Sequence, residues 1–147
     1  MKLNTASQVI SLARKLEEDG AGFYESAAGQ YPKDREVLLG FARENKKNIM
    51  RVERAYYSAI TDALEGGYAF DLDPEEYEIK PGDLQNKAYP DAIKTAIGME
   101  EKTARFYDKA AEQSKSLLAD VPRAFLTMVK LRDDRREKLS ALQDAGN

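Results

Sequence analysis

The sequence contains neither cysteine nor histidine. Without cysteine there can be no disulfide, zinc ribbon, iron–sulfur centre or thiol nucleophile, and without histidine there is no imidazole ligand and no histidine general base. Any metal ion would have to be held by carboxylate and carbonyl oxygens alone. Such ligands favour magnesium, calcium or manganese over the usual transition-metal sites.

Long apolar runs are also missing, since no stretch approaches the roughly 18 residues that a membrane-spanning helix needs. The first residues lack the apolar core of a signal peptide, which predicts a cytoplasmic protein. The formal net charge of -3 provides no general attraction to nucleic acid or to an anionic membrane, so neither is predicted as a partner. A basic group on the second helix is interpreted as a solvated helix surface: Lys46, Lys47, Arg51 and Arg54.

Apolar residues recur at helical spacing in four segments of the chain. These segments predict helices over about residues 5–30, 34–64, 90–113 and 121–144. On the second helix the predicted inner side includes Val37, Leu38, Phe41 and Val52. A chain of 147 residues with this pattern predicts a single all-α domain over residues 1–147.

The connections between the helices differ in length. The first is short and contains Pro32, which predicts that helices one and two are antiparallel neighbours. The connection over 65–89 is long enough, when extended, to cross the full length of a bundle. Two antiparallel hairpins joined by this crossover are therefore predicted.

The two halves of the chain resemble each other. Residues 13–28 align without a gap with residues 96–111 and share eight identities, in the pattern Ala-x3-Glu-Glu-x2-Ala-x-Phe-Tyr-x2-Ala-Ala. Chance similarity between helices does not usually repeat both Glu-Glu and Phe-Tyr, which indicates a duplicated helix hairpin. Glu17 and Glu100 occupy equivalent positions in the two copies.

The second helices of the two halves can be aligned as well, residues 38–52 over 125–139. In this register the apolar positions coincide, and Asn45 and Asn48 align with Arg132 and Arg135. Polar side chains three residues apart on an otherwise apolar helix face require partners. The alignment therefore predicts a central polar site that both halves build.

These features resemble the ferritin-like superfamily, in particular its rubrerythrin-type members. The resemblance implies a four-helix bundle with a di-iron site, which takes one glutamate from each odd helix and a Glu-x2-His motif from each even helix. Glu17 and Glu100 match the odd-helix glutamates. The even helices depart from the motif, because they carry Asn45-x2-Asn48 and Arg132-x2-Arg135.

Arginine cannot ligate a metal and its charge repels one. We therefore expect a ferritin-like protein of unknown specific role that has lost di-iron binding and redox activity, with no catalytic residue and no cofactor. Such a chain would act as a structural or interaction module, and its helix faces are compatible with a homodimer. The sequence names no protein partner.

The charges of the substituted site balance. Two carboxylates and two guanidiniums leave it neutral, and the arginine fork can satisfy a buried carboxylate with two hydrogen bonds. We expect Glu17 and Glu100 to pair with Arg132 and Arg135, with hydrogen bonds completed by the two asparagines. The hydroxyl groups of Tyr24 and Tyr107 are candidate additional members.

Two alternatives remain open at the level of sequence. A rubrerythrin-like oxidoreductase or iron-handling protein could bind iron or manganese through Glu17 and Glu100, with help from substitute carboxylates. The candidates for that help are Glu44, Asp133 and Asp134. Alternatively, the bundle could bind a small anion near Arg132 and Arg135.

Overall fold

The computed structural model describes residues 2–62, 70–80, 84–114 and 120–146. These residues form four long helices: α1 (Ala6–Gln30), α2 (Arg35–Asp62), α3 (Tyr89–Gln113) and α4 (Asp120–Gly146). The described ranges contain no β-strand, and their one extended pairing is an isolated bridge between Leu3 and Leu72. The prediction of an all-α four-helix bundle is confirmed. None of the helices in these ranges is both long and apolar enough to cross a membrane.

The helix ends follow from local sequence. Thr5 caps α1, because its hydroxyl accepts from the backbone N–H of Gln8 at 3.3 Å while the Gln8 side chain accepts from the Thr5 N–H at 3.2 Å. Pro32 opens a short 3₁₀ turn that separates α1 from α2. Pro90 occupies the first turn of α3, where proline is tolerated. The predicted end of the second helix at residue 64 lies outside the described residues.

Two apolar clusters form the core, one toward each end of the bundle. One cluster combines the first half of α1 with the end of α3 and the start of α4, and it includes Leu16, Phe106 and Phe125. The other combines the second half of α1 with the start of α2 and α3, and it includes Phe41 and Leu139. Between the two clusters every helix contributes buried polar residues, so the candidate site lies at mid-height in the bundle.

The predicted inner position of Val37 is wrong, because its exposure is 41%. The buried stripe of α2 runs through Leu38, Phe41, Asn45, Asn48 and Val52. Successive residues of a helix lie about 100° apart around its axis, which places Val37 to one side of Leu38. The buried face of α2 is partly polar, and an assignment from apolar residues alone wrongly added Val37 to it.

The segment between α2 and α3 packs against the bundle where the structure describes it. Leu3 and Leu72 exchange two backbone hydrogen bonds of 2.6 and 3.0 Å. Phe70, Leu72 and Tyr77 are buried in the apolar cluster that contains Leu16. The Gln113 side chain at the end of α3 donates to the backbone oxygen of Asp71 and accepts from its N–H. The connection therefore contributes to the core.

Candidate functional site

Four helices each bring one or two polar side chains to the centre of the bundle. They are Glu17 on α1, Asn45 and Asn48 on α2, Glu100 on α3, and Arg132 and Arg135 on α4. Each of the six residues has an exposure of 2% or less. The structure thus places all six predicted residues in one hydrogen-bonded cluster, which we call the central cluster.

Arg132 connects the two halves of the chain. Its Nη1 donates to both carboxylate oxygens of Glu100, at 2.8 and 2.6 Å, and its Nη2 donates to Oε2 of Glu17. One guanidinium therefore binds the two glutamates that the sequence repeat makes equivalent. Planar forks of this kind match carboxylates better than the point charge of a lysine does.

Arg135 lies one turn further along α4 and shares the carboxylate of Glu100 with Arg132. Its Nη1 donates to Oε1 of Glu100 at 3.1 Å and to the side-chain oxygen of Asn45. Its Nη2 donates to the backbone oxygen of Phe41 at 3.3 Å and to the half-exposed Glu44 at 3.1 Å. The guanidinium also lies 5.4 Å from the ring centre of Tyr24, within the range of a cation–π contact.

The two asparagines complete the hydrogen bonds of Glu17. Asn48 donates to Oε1 of Glu17 at 2.9 Å, and Asn45 donates to the backbone oxygen of Glu17 at 3.1 Å. Asn45 can approach α1 this closely because the neighbouring residue is Gly20. A Cβ added to Gly20 would lie well inside contact distance of the Asn45 side-chain nitrogen.

Gly20→Ala is expected to lower the free energy of unfolding by about 1–3 kcal/mol, because the added methyl group would displace Asn45 from α1. Gly22→Ala is the matched control on the same helix, since a Cβ there meets no atom of the described residues within 4 Å. The control is expected to raise the free energy of unfolding by about 0.5–1 kcal/mol. Urea unfolding measures both, and equal changes in the two variants would contradict the close contact.

Two tyrosine hydroxyls join the central cluster in a reciprocal arrangement. Tyr24 of the first half donates to Oε1 of Glu100 in the second half at 2.8 Å. Tyr107 of the second half donates to Oε2 of Glu17 in the first half at 3.2 Å. Burial, reinforced by the nearby carboxylates, raises the pKa of both tyrosines well above the ordinary value. Both hydroxyls therefore remain protonated and act as donors.

The electrostatic balance of the cluster keeps Glu100 and Arg132 charged. Burial alone would raise the pKa of Glu100, but Arg132, Arg135 and the Tyr24 hydroxyl together hold that pKa below its ordinary value. Burial alone would lower the pKa of Arg132, but Glu100 and Glu17 together raise it. The centre brings together two acidic and two basic side chains, whose formal charges cancel.

The cluster is not fully satisfied. The Nε atoms of Arg132 and Arg135 are buried and have no hydrogen-bond partner among the described residues. In a buried ion pair, the free-energy cost of removing both groups from water cancels much of their attraction. A buried N–H without an acceptor adds to that cost. The arrangement is therefore better suited to fixing which helix faces meet than to adding net stability.

The donor set does not fit a di-metal centre. A guanidinium nitrogen donates to both oxygens of Glu100 and to one oxygen of Glu17, and a metal ion would need those lone pairs. The described residues contain no group of three or more metal-ligating side chains. The substitute carboxylates do not fill the gap, because Glu44 and Asp134 are exposed and Asp133 pairs with Arg136 at 3.0 Å.

Three contacts of the site were absent from the sequence prediction. Gly20 makes room for Asn45, Glu44 reaches Arg135, and Arg51 donates to the side-chain oxygen of Asn48 at 3.0 Å. A glycine on an inward helix position was the only available signal for the first contact.

Comparisons with protein-family models, curated proteins and solved structures found no match to this chain.

Proposed function

We propose that this protein is a ferritin-like bundle of the rubrerythrin type in which a neutral salt-bridge cluster replaces the di-iron site. It serves as a structural or interaction module and performs no iron or redox chemistry. The observation that carries the proposal is the position of Arg132, whose guanidinium binds both Glu17 and Glu100. Those are the two glutamates that would hold iron in the family.

The order of contacts along the helices supports the ferritin-like topology. Between α1 and α2, Arg14 pairs with Glu53 and Glu25 pairs with Lys46. The later residue of α1 therefore contacts the earlier residue of α2, which means that the two helices are antiparallel. Between α3 and α4, Glu100 pairs with Arg132, and the backbone oxygen of Pro90 accepts a hydrogen bond from the side chain of Gln143. Here too the earlier residue of one helix contacts the later residue of the other. Both pairs are antiparallel, as expected for two hairpins joined by a crossover.

The tyrosine contacts support the duplication. Tyr24 and Tyr107 are equivalent in the sequence repeat, and each binds the glutamate of the opposite half. The even helices carry no such equivalence, because α2 supplies amides where α4 supplies guanidiniums. A symmetric ancestral site in which the motif on α2 became neutral and the motif on α4 became cationic accounts for both facts.

The role of the cluster follows from its charges. Shifting α4 by one residue would move Arg132 out of reach of the two glutamates and leave buried charges unpaired, which is costly. The central cluster thus fixes the register of α4 against α1 and α3. The rigid bundle presents its outer helix faces for interaction.

An iron-oxidation assay tests the proposal. Adding Fe(II) anaerobically and then admitting air is expected to give the same oxidation rate with the protein as with buffer alone, because the centre lacks open carboxylate ligands. Oxidation that the protein accelerates, and that Glu17→Gln abolishes without loss of fold, would overturn it. The exposed Glu18→Gln is the matched control, since it changes the charge of the neighbouring residue but not the cluster.

A further inference from the structure

A cationic groove runs along the seam between α2 and α4, outside the central cluster. Its first part has a volume of about 420 Å³. The groove is walled by Arg51 and Arg54 from α2 and by Arg123 from α4, and no carboxylate appears among its described lining residues. Its remaining lining is small or apolar: Ala55, Ala124, Thr127 and the buried Met128.

A second hollow of about 290 Å³ continues along the same seam, and Arg51 lines both parts. Lys47 and Lys138 flank this part, and Arg135 of the central cluster forms another part of its lining. The carboxylates of Glu44 and Asp134 also line it. The described residues of the two parts together contain six cationic and two anionic side chains.

This concentration of positive charge is local. The whole chain has a formal net charge of -3. The groove on the other side of α4, against α3, is acidic: it is lined by one arginine and by Glu101, Asp133, Glu137 and Asp144. Helix α4 therefore separates a basic seam from an acidic one, and an anion in solution is attracted to the α2/α4 side.

The lining of the groove indicates the class of ligand. Guanidinium groups bind phosphate through paired, charge-assisted hydrogen bonds. The three arginines of the groove match the charge of a phosphate dianion better than they match the single charge of a carboxylate ligand. The volume of the first part lies within the range of about 300–1,000 Å³ that is usual for small-molecule sites. The partly exposed alanines at 55 and 124 provide an apolar surface that can cover a hydrocarbon or aromatic body attached to the phosphate.

We propose that the α2/α4 groove binds a small phosphate ester, with the phosphate held by Arg51, Arg54 and Arg123 and its apolar body packed against Ala55 and Ala124. The central cluster is not the binding site, because its guanidiniums are engaged by Glu17 and Glu100. This inference stands on the groove alone and holds whether or not the bundle is ferritin-like.

Isothermal titration calorimetry of the full chain tests the proposal with three probes. Inorganic phosphate, adenosine monophosphate and dodecyl phosphate share the anionic group and differ in having no body, an aromatic body or an aliphatic body. At least one of the two esters is expected to bind saturably at one site and more tightly than inorganic phosphate. Which ester binds more tightly identifies the kind of body that the groove accepts.

Arg54→Gln/Arg123→Gln is expected to weaken that binding by about tenfold or more, since two charge-assisted contacts are lost. Both positions are exposed, so the fold should be retained, as circular dichroism would check. The control Arg105→Gln/Lys109→Gln makes the same change in net charge on the exposed face of α3 and should leave binding unchanged. Absence of saturable ester binding up to millimolar concentrations, or an equal loss in both variants, would overturn the proposal.

Discussion

Replacing Arg132 with leucine is expected to lower the free energy of unfolding at about pH 7 by about 3–5 kcal/mol, the usual effect of breaking a buried ion pair. Leucine occupies similar apolar space but removes the guanidinium that binds Glu17 and both oxygens of Glu100. Arg135 still pairs with Glu100. The donors that the described residues still offer to Glu17 are neutral ones, from Asn48 and Tyr107.

The pH dependence of this loss distinguishes a stranded charge from poor packing. A buried carboxylate without its cation binds a proton at a higher pH than usual, and this restores part of the stability as the pH falls. The difference from the wild type should therefore narrow between about pH 7 and pH 5. The control Arg136→Leu removes a partly exposed arginine of the same helix and should cost only about 0–1 kcal/mol. Urea unfolding measures both, and similar losses in the two variants would contradict a buried pair at Arg132.

Glu100→Leu is expected to destabilise the protein by a similar amount, about 3–5 kcal/mol, for the opposite reason. It removes the carboxylate that both Arg132 and Arg135 bind, and it leaves the Tyr24 hydroxyl without its acceptor. Glu17 remains for Arg132, and the half-exposed Glu44 remains for Arg135. The buried centre then carries an excess positive charge.

Arginine cannot relieve this excess by losing its proton. The pKa of Glu100 in the folded wild type lies below its ordinary value of 4.5, so the stability that its charge contributes is present above that value and is lost only as the pH falls through the lower folded pKa. The difference between wild type and Glu100→Leu should therefore stay constant between about pH 7 and pH 5. If the difference in free energy of unfolding between the wild type and Glu100→Leu narrowed over this pH range, as expected for Arg132→Leu, the two variants would not leave opposite charges unpaired. Glu101→Leu is the control, because it removes the neighbouring surface carboxylate, 3.7 Å from Arg136.

The helical part of the fold could be predicted from the sequence because each helix carries a long apolar stripe with a clear period. The error at Val37 arose because Val37 and Leu38 are adjacent apolar residues about 100° apart around α2, and only Leu38 lies on the buried stripe. The bridge between Leu3 and Leu72 could not be predicted, since it depends on a pairing between residues that are far apart in the chain. Short irregular segments give no period from which such a pairing could be read.

The membership of the central cluster came from comparing the two halves of the chain, because the repeat assigned Asn45 and Arg132 to equivalent positions. The pairing within the cluster is a matter of three-dimensional distance. The sequence offered two arginines and two glutamates, and only the structure shows that Arg132 binds both carboxylates while Arg135 also reaches Glu44. The groove was missed because its arginines come from two helices, so that Arg51 and Arg54 looked like an ordinary solvated surface.

Metal analysis of the protein purified without chelators, before and after incubation with Fe(II) or Mn(II) and desalting, tests the central claim most directly. If Arg132 and Arg135 neutralise Glu17 and Glu100, each chain should retain far less than one equivalent of either metal, and Glu17→Gln should not change that content. About two equivalents of iron or manganese per chain, the number that a di-metal centre holds, lost in the Glu17→Gln variant, would contradict the claim.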